Sequence, residues 1–173
     1  RSKTRGEDGV YFTDTDAEPI TFNPFYTADG LFDIEKRESV KTLILTLWKR
    51  DDEPPSRSEE VALSNAVNLY LEHIGRHPEH KPSFNGFYRF VGGDYRRLLR
   101  QKNVREKDFD IDNFLTVLEP YYEGGEYDYL LNSDKELDLL HKRFIVFELD
   151  NIKDHKILLP IVTIIIMETY IGK

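Results

Sequence analysis

Apolar residues recur through the middle of the chain at helical spacing. Between Ile34 and Arg50 they fall at Val40, Leu43, Ile44, Leu47 and Trp48, the i, i+3, i+4, i+7, i+8 pattern that lines one helix face. Asp33 is placed to cap the start. Glu35 lies in the first turn and Lys49 and Arg50 in the last, as the helix dipole favours. Asp51 to Pro55 break the pattern. A second helix is predicted from Ser56, which has capping-box spacing with Glu59. Its inward stripe is Leu63, Val67, Tyr70, Leu71 and Ile74, and Gly75 is placed to end it. After a polar loop to Pro82, Ser83 can cap a short third helix with Phe84, Phe87, Tyr88 and Val91 inward. Gly92-Gly93 is expected to stop it and Asp94 to cap a fourth, carrying Leu98 and Leu99. A fifth begins near Asp112, with Phe114, Leu115, Leu118, Tyr121 and Tyr122 on one side. Pro120 must kink or end it. Gly124-Gly125 is a further break, and residues 126–131 are expected to add a helical turn or two.

The two ends follow another pattern. Val10-Tyr11-Phe12-Thr13 reads as a short strand. Pro19 to Phe22 is extended and leads into Asn23-Pro24-Phe25, where the proline pushes Asn23 out of the helical region and into a loop. Arg143 to Asp150 has a continuous apolar core of β-forming residues with no alternation, which suits a strand covered on both faces. Asn151 to Asp154 is a turn, and Pro160 sits well in the first turn of a last helix reaching Tyr170. A covered strand feeding a helix is half of a βα crossover. The predicted class is therefore α+β, mainly α. A strand and loop segment occupies residues 1–32, a helical subdomain residues 33–140, and a strand and helix residues 141–173. The last part belongs to the edge of a larger α/β sheet whose other strands are not in this sequence.

Composition narrows the chemistry. The chain has 173 residues, a net charge of −8 and no cysteine, which excludes a disulfide scaffold, thiol catalysis and a cysteine-ligated zinc site. The lack of cysteine fits a reducing compartment. The longest nearly apolar run, Ile157 to Met167, is too short to span a bilayer, which takes about 20 residues. Met167 is the only methionine, so the sequence is expected to be a fragment or a processed product. The charge is uneven. Between Glu106 and Asp138 eleven acidic residues stand against Lys107 and Lys135, so this block repels phosphate while the rest is close to neutral. Just before it lies a basic stretch with Arg96, Arg97 and Arg100. A basic helix face can meet a phosphate backbone, but such a face is more often solvated and paired with nearby acids.

Three constellations carry possible chemistry. His73, His77 and His80 lie in a row, and the first two have the spacing of metal ligands on one helix face. Gly75 and Pro78 argue against a helix there, which favours a solvated helix end. Asp108, Asp110 and Asp112 have the spacing that opens a calcium loop, with Glu119 at its twelfth position. The helical periodicity of residues 114–122 instead favours carboxylates that cap a helix. Glu148 and Asp150 end an apolar strand on one face, as magnesium-holding carboxylates do. However, no stretch matches Gly-x-x-x-x-Gly-Lys-Ser/Thr, so nothing in the chain would cradle the β- and γ-phosphates. The many Phe and Tyr residues sit at helical spacing and read as core.

Three stretches together carry a more specific signal: Glu18-Pro-Ile-Thr-Phe-Asn-Pro-Phe25, Glu35 to Lys49, and Arg143 to His155 followed by Pro160 to Met167. In order and spacing the chain resembles the TraG-type conjugation ATPases of Bacteroides-type conjugative transposons, similar to the motor ATPases of type IV secretion systems. The resemblance implies a RecA-like motor domain, of which this chain holds a helical insertion and the strand and helix after it. It implies that the phosphate-binding loop precedes the chain and the magnesium motif follows it, so no catalytic, cofactor-binding or metal residue is assigned here. On that map Glu148 and Asp150 become carboxylates at the sheet rim, and Phe22, Asn23, Pro24 and Phe25 a candidate contact loop. The whole protein is implied to use ATP and magnesium and to assemble as a ring, with six subunits, at the cytoplasmic face of the inner membrane. It would contact other transfer-apparatus proteins, and DNA is a further possible partner, met through Arg96, Arg97 and Arg100.

Overall fold

A computed structural model describes Thr21, residues 23–27 and residues 29–133. The expected strands at 10–13 and 143–150, the last helix and the carboxylates Glu148 and Asp150 lie outside the described residues, as does Phe22. What is described is helical, with no strand among these residues.

Helix α1 spans Ile34–Trp48 and α2 spans Arg57–Arg76. Asp33 caps α1 by accepting from the Lys36 N–H at 2.8 Å. Ser56 and Glu59 form the reciprocal capping box at the start of α2. The first helix ends earlier than its charge pattern suggests. Lys49 is already extended, and its ammonium reaches the Glu59 carboxylate at 2.7 Å while lying 4.4 Å from the centre of the Trp48 ring. The cation therefore fastens the start of α2 to the end of α1 and does not sit within the last turn of α1. Burial pushes the Glu59 carboxyl up, but hydrogen bonds from Lys49 and Ser56 and the lysine charge outweigh it and hold it below the ordinary range. Gly75 does not end α2. The helix continues to Arg76 and stops at His77, whose backbone is drawn out of the helical region by the proline that follows.

The largest correction concerns Gly92-Gly93. The pair does not stop the third helix, and Asp94 does not cap a fourth. Helix α3, Phe84–Phe90, runs into a π turn over Val91–Tyr95 and directly on into α4, Arg96–Gln101. Arg96 N–H donates to the Val91 carbonyl, five residues back. A wider turn rotates less per residue. In an α-helix, residues four apart advance by about 40° per step around the axis. The π turn absorbs that drift, so Val91, Tyr95 and Leu99 stay buried on one side. Asp94 pairs with Arg97 instead.

Asp110 caps α5, Ile111–Leu118, by accepting from Asn113 N–H at 2.9 Å. Pro120 lies in a short 3₁₀ turn, Glu119–Tyr121. Residues 126–131 fold back as successive turns and form no helix. The Tyr127 N–H donates to the Pro120 carbonyl at 2.8 Å, which draws this segment across the 3₁₀ turn.

Aromatic residues organise the core at two centres. Around α1 and α5, Trp48 meets Phe109 and Phe114 edge-on at 5.7 and 5.0 Å, and its indole N–H donates to the Asn113 amide oxygen. Around α2 and α3, Tyr70 meets Phe25, Phe87 and Phe90. Tyr95 bridges to the first centre at Phe109 and donates its hydroxyl proton to the Ala62 carbonyl at 2.7 Å.

Candidate functional site

The turn at Asn23-Pro24-Phe25 is built from its own asparagine. The Asn23 side-chain oxygen accepts from the Phe25 N–H at 2.9 Å, and its carbonyl accepts from the Tyr26 N–H at 3.0 Å. The asparagine amide donates to the Pro82 carbonyl at 2.9 Å, tying the turn to the loop before α3. Pro24 is buried, and Phe25, with no exposed surface, packs against both Tyr70 and Phe87. The described part of the candidate contact loop thus faces inward and is tied to the helices. At the entry to α1, Leu31 and Ile34 are 69% and 80% exposed. Arg37 turns inward there, donating to the Phe32 carbonyl and to Asn68.

The basic stretch and the acidic block are neighbours in space. Arg96 pairs with Asp112 at 2.8 Å and donates to the Gly92 carbonyl; Arg97 pairs with Asp94. Arg105 pairs with Asp108 at 2.8 Å, and Arg89 with Glu123 at 3.4 Å. Of the three arginines expected to meet phosphate, only Arg100 is exposed with no ion pair among the described residues. Asp108, Asp110 and Asp112 do not converge as a calcium loop. One pairs with Arg105, one caps α5 and one pairs with Arg96.

Two asparagines that the sequence does not single out hold the far end together. Asn132 accepts from the Asn85 N–H at 2.9 Å and donates to the Tyr121 and Asp128 carbonyls. Asn85 in turn accepts from the Glu123 N–H at 3.0 Å. A single asparagine at the start of a helix and another after a turn leave no periodic trace, so pattern reading passes over both. Tyr88 stacks on Tyr122 with centroids 4.2 Å apart and donates to the Leu115 carbonyl. No helix among the described residues is long and apolar enough to cross a membrane.

The helices, their caps and their aromatic core all lie within one stretch of a known family. The model of the TraG P-loop domain matches residues 4–173, and the chain belongs to that family. No curated protein and no solved structure matches it. Yet no stretch of the 173-residue sequence matches Gly-x-x-x-x-Gly-Lys-Ser/Thr, the motif that gives P-loop proteins their name.

Proposed function

We propose that this chain is part of the motor domain of a conjugative-transfer ATPase that powers DNA transfer through a type IV secretion-like apparatus. The observation that carries the reading is the family match across nearly the whole chain. In this reading residues 33–140 are a helical insertion at the edge of a RecA-like sheet, and residues 1–32 and 141–173 return to that sheet. Glu148 and Asp150 then lie at the sheet rim. ATP and magnesium are held by parts of the protein outside this chain, where positioning and electrostatic stabilisation of the transferred phosphoryl group do the work. The insertion contributes contacts to a neighbouring subunit of a ring of six, or to other transfer-apparatus proteins. Ile34 and Val61, 80% and 53% exposed, are apolar groups of the insertion open to such a contact. The assembly works in the cytoplasm, at the inner membrane face. DNA contact is a lesser part of the proposal, since Arg96 and Arg97 are already paired with acids.

The test is ATP turnover. The intact protein is expected to hydrolyse ATP, to lose that activity when its P-loop lysine is replaced by alanine, and the 173-residue chain is expected to be inactive. Turnover by the chain alone, or an intact protein without activity, overturns the reading and favours a self-contained helical interaction module.

A further inference from the structure

We infer that the cleft where the end of α2, the loop after it and the junction of α3 with the π turn meet binds the phosphate group of an anionic ligand. Among the described residues no three histidine or acidic side chains are grouped to hold a metal ion. Two of the three clustered histidines, His73 and His80, instead line this cleft, together with Lys81, Arg89 and Gly93. Its volume is about 340 Å³, within the ~300–1,000 Å³ usual for small-ligand sites. The chain carries a net charge of −8, yet the charge on this wall is mainly cationic. Lys81 is exposed and has no ion pair among the described residues. Arg89 meets Glu123 at 3.4 Å, with the two side chains 58% and 68% exposed, and an exposed pair of that kind holds its cation weakly. Asp94 is the one acid among the described lining residues, and Arg97 already pairs with it. Glu79 lies 3.6 Å from His80 Nε2 but is not on the wall.

A second observation falls on the same wall. Gly93 lies inside an unbroken helical run, outside the left-handed region, and a methyl there meets nothing within 4 Å. A glycine in such a place costs stability against alanine, and no described neighbour requires it. Glycine is the residue of choice where backbone must come close to a ligand. The π turn that carries it is a kind of helix irregularity frequent at functional sites. A guanidinium and an ammonium form charge-assisted bonds to phosphate oxygens, and imidazole N–H groups add donors. His73 is the fixed donor, half-buried and packed against Phe90 at 5.6 Å; Lys81 and Arg89 supply the charge. The site does not draw on the motor reading.

The experiment is calorimetric titration of two probes into the 173-residue chain at low salt, inorganic pyrophosphate and a short oligothymidylate. Saturable binding of pyrophosphate assigns a free phosphate compound as the ligand. Saturable binding of the oligonucleotide alone assigns the phosphate to a nucleic-acid strand. Whichever probe binds, Lys81→Gln is expected to weaken it about tenfold, the worth of one charged hydrogen bond. Gly93→Ala is expected to weaken it several-fold while the melting temperature stays level or rises, which separates lost binding from lost folding. Arg100→Ala, at an exposed cation outside the cleft, is expected to bind as the parent does. The proposal is overturned if neither probe binds saturably, if Lys81→Gln or Gly93→Ala leaves the affinity unchanged, or if Arg100→Ala weakens binding as much as Lys81→Gln.

Discussion

Tyr70 shows how one side chain can set the shape of a junction. It is fully buried, and its hydroxyl both accepts from the Ser83 N–H at 3.0 Å and donates to the Ser83 carbonyl at 3.2 Å. The Ser83 hydroxyl in turn caps α3 on the Gly86 N–H. A methyl on Gly86 would lie 2.5 Å from the tyrosine oxygen, which two hydrogen bonds prevent from moving away. Gly86→Ala is therefore expected to destabilise by about 1–3 kcal/mol through overpacking. Tyr70→Phe removes the obstructing oxygen but strands the Ser83 N–H, at about 1–3 kcal/mol. The double variant should cost clearly less than the sum. Urea denaturation of all four proteins measures this, and simple additivity would show that the glycine is not there for the hydroxyl. Two other tyrosines give a pH signature. Burial pushes the Tyr95 hydroxyl up to about 12; burial, with Tyr127 nearby, does the same for Tyr121. In the unfolded chain both ionise near the ordinary value of 10. The folded state holds these protons more tightly, so their contribution is complete below pH 10 and is lost as pH rises towards 12. Tyrosinate absorbance and circular dichroism are expected to change together in that window. Titration of both phenols with no loss of helix would contradict the burial.

At the scale of elements, two glycine pairs that look alike in sequence do opposite work. Gly92 and Gly93 sit in the π turn at negative φ. A methyl at Gly93 meets nothing within 4 Å, and one at Gly92 makes only ordinary contact with Leu115 at 3.7 Å. Gly124 has φ of +84°, and a methyl on Gly125 would lie 2.7 Å from the Glu119 carbonyl oxygen and closer still to that of Pro120. Gly93→Ala is expected to be neutral or to stabilise by up to about 1 kcal/mol through lost unfolded-state freedom. Gly125→Ala is expected to destabilise by more than that, since backbone must move to admit it. Melting temperatures of the two variants should shift in opposite directions or differ widely; equal losses would contradict the geometry. This contrast also shows what was legible. The caps at Asp33, Ser56 and Ser83 and the buried stripes of α1, α2 and α5 follow from local rules, because one turn of helix contains all the atoms involved. The π turn was not legible. It answers to the need to keep Val91, Tyr95 and Leu99 buried, with Tyr95 against Ala62 of α2 and Phe109, a demand set by neighbours distant in the chain. The same holds for residues 126–131, whose turns are fixed by the Pro120 carbonyl.

Across the whole molecule, charge and anchorage behave differently from their linear order. The basic stretch beside the acidic block reads first as a solvated face paired with acids and only second as one that meets phosphate, and Arg96 and Arg97 are tied to Asp112 and Asp94. Sequence spacing placed these groups near one another but could not orient them. The Asn-Pro-Phe turn was legible as a loop. That Phe25 is core was not, because its partners Tyr70 and Phe87 lie more than forty residues further on. Phe25 is thus part of the helical body although the helical periodicity begins only at Ile34. This leads to a test of what the helical unit needs in order to fold. Phe25→Ala removes a ring with no exposed surface from a cluster of three with Tyr70 and Phe87, and such truncations cost about 3–5 kcal/mol. Cutting the chain at residue 33 removes the same ring together with the Asn23 tie to Pro82. Both proteins are expected to lose denaturant midpoint, the truncated one at least as much as Phe25→Ala, with faster proteolysis within α2 and α3, while Tyr26→Ala, at an exposed position in the same turn, should change little. If the chain cut at residue 33 is as stable as the parent, Phe25 is a passenger on the helices and not part of their core.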